Sequence, residues 1–437
     1  MRSTTALLIP IAGWLACGTA AAQTDAVPAR LSLAEAVRVA EQRNPALDAA
    51  RQQVLVADAD TAAAKRWPNP LASVESAGYS GKSTPYGFWD RQELTIQVEQ
   101  EFELGDRRRL RGEAAGAAAT ATRASLDNRV RQIRIEVQRV YFQLVLARLD
   151  AEQARASLAE IDQVIAVSRS RYKQGEVSGG ELRRLEVERL KFSEDALQAE
   201  LATRNSRSGL LALLGAPRLD QPLEPTDTLA ARGGRTEGVA APGPPEPGAA
   251  SGAAALTSLA LASRADIAAA RQEQARAQAE VGLQRALRTP NLSVTGGYRR
   301  DFGASGLVLS VAIPLPLLDR NASGITRAEA EQRLAGSLLK EREVAVSLDV
   351  QQAFDLVDIS RERVASIERD YLQKAREARD AALAAYRAGE SDLLDYLDAQ
   401  RAYRDVQRAY NRALFDHRLS LLQLDASVGA GAKGLLP

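Results

Sequence analysis

The sequence predicts a mainly α-helical protein with membrane-type β-strands: long coiled-coil helices alternate with short β-hairpins, in two tandem copies of one unit. Three observations predict it. Segments recur in order at an offset that drifts only from 220 to 214. Apolar residues repeat at alternating steps of three and four over more than forty residues. Four short stretches alternate apolar and polar residues with period two, the mark of a strand with two unlike faces.

The repeat is visible in three places. Asn44-Pro45-Ala46-Leu47-Asp48-Ala49-Ala50-Arg51-Gln52 returns as Arg264-Ala265-Asp266-Ile267-Ala268-Ala269-Ala270-Arg271-Gln272. Pro70-Leu71-Ala72-Ser73-Val74 returns as Pro290-Asn291-Leu292-Ser293-Val294, and Tyr172-Lys173-Gln174-Gly175-Glu176 as Tyr386-Arg387-Ala388-Gly389-Glu390. Three matches in order, in an Ala-rich chain, mark internal duplication. The copies are expected at 23–216 and 256–428, joined by a Pro/Gly-rich linker over 217–255 and followed by a short tail, 429–437. The linker holds seven of the chain's 17 prolines, too many for a helix or a central strand.

Each copy has the same order of elements. Ser32-Leu33-Ala34-Glu35 reads as a capping box opening the first helix, with a break expected at Asn44-Pro45. Strands follow at 71–79 and 94–102 in copy one, and at 292–300 and 307–313 in copy two. The long helix then carries Val130, Ile133, Val137, Val140, Leu144, Ala147, Ala151, Ala154, Leu158, Ile161, Ile165, Ser168 and Tyr172 on one heptad seam. Val346, Val350, Ala353, Val357, Ser360, Val364, Ile367 and Tyr371 repeat it. From Arg107 to Tyr172 there is no proline, so the helix reaches about 100 Å.

Residues 1–22 read as a secretory signal peptide: Arg2, an apolar stretch from Ala6 to Trp14, and Ala20-Ala21-Ala22 before Gln23. Cys17 has a sharper reading as a lipidation site, although Trp14 stands where bacterial lipoprotein signals usually place Leu. Of the 437 residues, 57 are Lys or Arg and 56 Asp or Glu, with one His, one Cys and one Met. Without the signal, basic and acidic residues balance and no sulfur remains, which suits an oxidising compartment. Balanced charge argues against nucleic-acid binding. One His and no Cys remove most metal and nucleophile chemistry, so no enzyme, cofactor or resident metal is expected. Gly81-Lys82-Ser83-Thr84 is not a phosphate loop: Ser76 stands where the first glycine belongs, and Pro85 blocks the helix start.

Four strands cannot close a barrel, and open edges in lipid leave backbone groups unpaired. If the strands lie in a membrane, several chains share the barrel, and three chains give 12 strands. The alternative is a soluble periplasmic coiled-coil scaffold with a small β-tip. Tyr79, Tyr86, Phe88 and Trp89, in the first hairpin's connection, suit an interfacial aromatic belt or the packing of an external loop equally well.

The sequence resembles the TolC-like outer-membrane factor family over essentially its whole mature length. Leu31-Ser32-Leu33-Ala34-Glu35-Ala36 with Asn44-Pro45, and Pro68-Asn69-Pro70 before the first strand, carry the resemblance. Glu103-Leu104-Gly105-Asp106-Arg107 and Pro314-Leu315-Pro316-Leu317-Leu318-Asp319-Arg320-Asn321 look most like the cobalt–zinc–cadmium heavy-metal branch. The resemblance implies a homotrimer with a shared 12-stranded β-barrel in the outer membrane and a helical α-barrel crossing the periplasm. It implies a passive duct with a periplasmic adaptor and an inner-membrane resistance–nodulation–division pump as partners. A drug-efflux or type I secretion duct is the alternative within the family.

By the same resemblance, the pore entrance lies at the helical turns around Gly175 and Gly389. Asp395 and Asp398 match paired aspartates, and their three-residue step puts both on one helix face. Tyr386 matches a gating tyrosine and Glu181 its partner carboxylate, whereas Ser391 replaces the family's gate arginine. Plainer readings stand beside these. Glu181 completes a second capping box, Ser178-Gly179-Gly180-Glu181. Asp392 and Asp395 fall in a first turn, where the macrodipole favours acids. Tyr386 ends the heptad seam. His417 reads as a helix-surface or interface residue.

Overall fold

The fold follows from the two periodicities, and the computed structural model describes residues 27–78, 92–229, 250–301 and 304–429. The signal segment with Cys17, Tyr79, Tyr86, Phe88, Trp89, the Gly81–Thr84 stretch and most of the 429–437 tail lie outside these residues. Copy one runs β1 (Arg30–Leu31), α1 (Leu33–Arg43), α2 (Pro45–Ala64), β2 (Leu71–Gly78), β3 (Gln92–Phe102), α3 (Arg107–Gln174) and α4 (Gly179–Leu213). After β4 (Glu224–Pro225), copy two runs α5 (Ala250–Ser263), α6 (Ala265–Ala286), β5 (Leu292–Asp301), β6 (Ala304–Ala312) and α7 (Ala322–Ser366). A π-helical segment, Ile367–Leu372, leads into α8 (Gln373–Ala388), and α9 (Leu393–Val428) returns.

The expected capping box is present: Ser32 accepts from the Glu35 amide, and the Glu35 carboxylate accepts from the Ser32 amide at 2.8 Å. The break falls at Asn44, whose side chain caps α2 through Ala46 (2.9 Å) and donates to the Leu213 carbonyl at the end of α4 (2.8 Å). The matching position in copy two is Arg264. Its buried guanidinium pairs with Asp266 (2.7 Å) and Asp349 (3.1 Å) and donates to the Ser427 carbonyl near the end of α9 (3.2 Å). Both breaks are thus pinned to the return helix of their own copy by different chemistry.

α3 is one helix of 68 residues, about 100 Å long at ~1.5 Å per residue. Ile133, Val137, Val140, Leu144, Ala147, Ala151, Ala154, Ile161, Ile165 and Ser168 of the seam are buried. The seam in copy two buries Val346, Val350, Ala353 and Ser360 and then meets the π segment, where Tyr371 is exposed. Small seam residues let the helices approach closely, so the molecule is a slab of parallel staves.

The strands form one antiparallel sheet in the order β2-β3-β5-β6. Register places Val74, Ile96, Tyr298 and Leu307 in one row across it, and Ala72, Val98, Gly296 and Leu309 in the next. Alternation puts Glu75, Thr95 and Arg299 on the other face. Among the described residues nothing covers the apolar face: Leu307 is 92% and Leu309 80% exposed. Strand order matches helix order, because α2 packs on α3, α3 on α6 and α6 on α7. Each strand thus joins its own helix, and the outer edges, β2 and β6, have no strand partner among the described residues. Among those residues no single helix is long and apolar enough to cross a membrane.

The Pro/Gly-rich linker over 217–255 carries secondary structure at both ends. Glu224–Pro225 pairs with Arg30–Leu31 as a short parallel ladder, Glu224 donating to Ala29 (2.8 Å) and Thr226 to Leu31 (3.1 Å). Pro225 sits between two donating amides, the one place in such a ladder where its missing N–H is harmless. Asp227 then accepts from the Leu33 amide (2.8 Å) and lies 2.6 Å from the buried Tyr141 hydroxyl. At the far end α5 begins at Ala250, as soon as the prolines stop at Pro247.

Candidate functional site: the helical turns at the far end of the hairpins

Two tight turns, 175–178 and 389–392, end the helical hairpins farthest along α3 from the sheet. Gly175 and Gly389 each take φ +80°, and their amides bond back to the carbonyls of Tyr172 and Tyr386 at 3.1 Å. Glycine adopts this left-handed backbone with no Cβ to clash, so the turn is favoured by sequence in both copies.

The hairpins meet just above these turns. Ile161, Val164, Ile165, Leu185 and Phe192 from the first pack with Tyr386, Leu393, Tyr396 and Leu397 from the second. Tyr386 is 3% exposed and stacks on Tyr396, ring centroids 6.0 Å apart. Its hydroxyl donates to Glu181 Oε1 (3.1 Å) and is bonded to Ser168 Oγ at 2.8 Å. Burial pushes the Tyr386 hydroxyl above its ordinary range, which keeps the proton that Glu181 accepts. Arg171 donates to the Tyr386 carbonyl (3.0 Å) and pairs with Glu176 (3.2 Å). Higher up, charged contacts hold the hairpins side by side: Arg379 to Glu160 (3.2 Å), Arg401 to Glu188 (2.8 Å) and Arg404 to Asp195 (3.1 Å).

The sequence-derived residues therefore separate into two sets. Tyr386 and Glu181 are brought together, across 205 residues of sequence. The capping box expected at Ser178 is only half made. Ser178 Oγ accepts from the Glu181 amide (3.1 Å), but the Glu181 carboxylate turns to Tyr386 rather than back to the cap. Asp392, Asp395 and Asp398 are exposed, and Asp395 and Asp398 lie on the side of α9 away from Tyr396 and Leu397. Asp398 takes a weak contact from Arg401 at 3.2 Å. Asp392 is the residue before the helix rather than part of its first turn, and its side chain makes no cap bond. The Ser391 hydroxyl is buried without a hydrogen-bond partner among the described residues.

Sequence reasoning passed over Ser168, Arg171 and Tyr396. Ser168 carried a signal, being a small polar residue in a seam run of Ala, Val, Leu and Ile. Tyr396 is hidden one residue from the aspartates in the run Asp395-Tyr396-Leu397-Asp398. His417 lies half-buried between α7 and α9, its Nδ1 3.0 Å from Ser360 Oγ. Among the described residues no group of three or more His, Cys, Asp or Glu is placed to hold a metal ion.

The chain matches the family model described as outer membrane efflux protein over residues 36–216 and 256–430. The cobalt-zinc-cadmium resistance protein CzcC of Cupriavidus metallidurans is 26% identical over 386 residues, covering 87% of this chain and 85% of that protein. Among solved structures, CusC superposes with a TM-score of 0.75 at 17% identity, covering 91% of this chain and 92% of CusC. The outer membrane protein VceC of Vibrio cholerae gives 0.73 at 22% identity, covering 91% and 96%. At those identities the two structures speak for the fold alone.

Proposed function

This chain belongs to the outer membrane efflux protein family, and we propose that it is the passive exit duct of a tripartite resistance–nodulation–division system for heavy-metal cations. It lies in the outer membrane and extends into the periplasm. The observation that carries the duct is the stave order. Strands β2, β3, β5 and β6 each continue into or from helices α2, α3, α6 and α7, with an uncovered apolar face on the sheet and two unpaired strand edges. In lipid such edges must be closed by other chains, since each unpaired backbone group costs several kcal/mol there. Three chains make a 12-stranded barrel continued by a helical barrel, with the paired turns as its periplasmic mouth. A periplasmic adaptor meets those turns, and the inner-membrane pump supplies the energy.

Similarity to CzcC over most of both chains supports metal cations as cargo. The exposed side chains of Asp395 and Asp398, repeated by three-fold symmetry, form two acidic rings that favour cations at the mouth. Tyr386 with Glu181 holds the hairpins together and narrows the entrance. The mature sequence has no Cys or Met and one His, so the cargo passes hydrated, guided by carboxylates rather than captured by soft ligands.

The test is electrical. In planar bilayers under a KCl gradient, the double variant Asp395→Asn, Asp398→Asn is expected to move the reversal potential toward zero from the cation-selective side. An unchanged potential and conductance would remove both residues from the pore mouth. A deletion strain sensitised to zinc, cobalt and cadmium, but not to a drug panel, is the matching result in cells. The reverse pattern makes the protein a drug duct.

A further inference from the structure

The two copies can be laid over one another residue for residue along their hairpins. An offset of 214 takes Gly175 to Gly389 and Gly215 to Gly429, all four with positive φ, and Tyr172 to Tyr386. The same offset takes Glu181 to Asp395. One cross-pair of this set, Tyr386 with Glu181, is made inside the chain. The other is not: Tyr172 is 49% exposed, and Asp395 is exposed with no ion pair or hydrogen-bond partner among the described residues. Both halves of the missing pair are thus open to a partner from outside the described residues.

A second, independent observation says what covers these halves. In copy two, α9 docks on the first hairpin through Arg401, Arg404, Asn411 and Phe415, which reach Glu188, Asp195, Asp150 and the core around Tyr141. The equivalent positions of α4 are Val187, Leu190, Leu197 and Leu201. All four are exposed leucines or valine at heptad spacing, a docking face with nothing docked on it among the described residues. The surface complementary to a first-copy return helix is a second-copy hairpin, and this chain's own one is already used. The free face fits the second hairpin of another copy of this chain.

We infer that Tyr172 of one chain donates its hydroxyl to Asp395 of a second copy, a latch between subunits that repeats the Tyr386–Glu181 latch within each subunit. The operation that carries the first hairpin onto the second carries the second onto the next chain's first. Three chains then close a ring of six hairpins held by six like latches, three internal and three between subunits. The α4 stripe supplies the apolar contact beneath each intersubunit latch. This rests on the shared-duct reading, and it adds that Asp395 has a bonded partner as well as a charge.

The experiment uses the full chain extracted from outer membranes. Y172C combined with D395C, treated with a short bismaleimide, is expected to give dimers and trimers on denaturing gels. Each single variant is expected to stay monomeric, which also controls for Cys17. E181C with Y386C is expected to cross-link without gaining mass, as an internal bridge. If native gels show the trimer intact while Y172C/D395C yields only monomers, the latch is overturned and the duct stands. If native gels of the unaltered chain show no trimer, the duct reading falls with it. In bilayers, Y172F is expected to raise the conducting fraction with the reversal potential unmoved. Conductance identical to the unaltered channel overturns the latch, whereas D395N tests the charge separately because an amide oxygen still accepts.

Discussion

Between Asp106 and Gly175 the first copy runs as one unbroken α-helix, whereas between Asn321 and Gly389 the second passes through six residues with the wider π pattern. The turns differ in the same sense. Ser178 closes the start of α4 with a side-chain bond to the Glu181 amide, while Asp392 before α9 makes none. About two-thirds of the way up the return helices, Thr203 of the first copy bonds the Ala147 carbonyl (3.1 Å), and its counterpart His417 contacts Ser360. The first hairpin completes itself with local backbone bonds. The second leans on its neighbour, through Tyr386, Arg379 and Arg401. Duplication has left one copy as scaffold and the other with the irregular backbone, the acids and the titratable group, a distribution usual where a helix serves function.

By that contrast, removing a contact that crosses from the second hairpin to the first has the largest effect. Tyr386→Ala deletes a buried ring, its stacking on Tyr396 and two hydrogen bonds, and is expected to cost about 3–5 kcal/mol. In amide hydrogen exchange, α8 and α9 should lose protection while the start of α4 stays nearly unchanged. Equal loss in both hairpins would erase the distinction. A medium effect separates the two caps. Ser178→Ala is expected to cost about 1 kcal/mol, whereas Asp392→Ala should stay within ~0.5 kcal/mol because no cap bond is lost. Thermal melts followed by helical circular dichroism compare the two directly.

The smallest effect concerns pH. Burial holds the His417 imidazole below its ordinary range, with Arg361 and Arg418 adding to the depression. The folded protein thus prefers the neutral ring. The stability His417 contributes is complete above the unfolded value of about 6.5 and is lost as pH falls through the folded one. Melting should weaken between neutral and mildly acid pH, and His417→Gln should flatten that slope. The first copy, with Thr203 in this place, contributes nothing to it.

The elements were legible because they rest on local chemistry. Ile133 to Ser168 show their period of 3.5, Leu94, Ile96 and Val98 their period of two, and Asn44-Pro45 its own break. What could not be read depends on contacts between distant segments. Glu181 looked like a capping residue because Ser178 lies three residues away; only the approach of Tyr386, 205 residues on, shows where its carboxylate turns. Pro225 counted as a strand breaker until Ala29 and Leu31 supplied a ladder with room for a missing donor. Arg264 had nothing in its neighbourhood to suggest Asp349 and Ser427 as partners.

The bare edges of β2 and β6 have a consequence for the life of the newly made chain. Among the described residues a single chain with its four staves in place carries two open rows of backbone donors and acceptors, with Leu307 and Leu309 standing beside one of them. Such an edge recruits any strand it meets, and crowding turns that recruitment into aggregates. The interval before other strands cover those edges is therefore the dangerous one, and survival through it requires escort or speed.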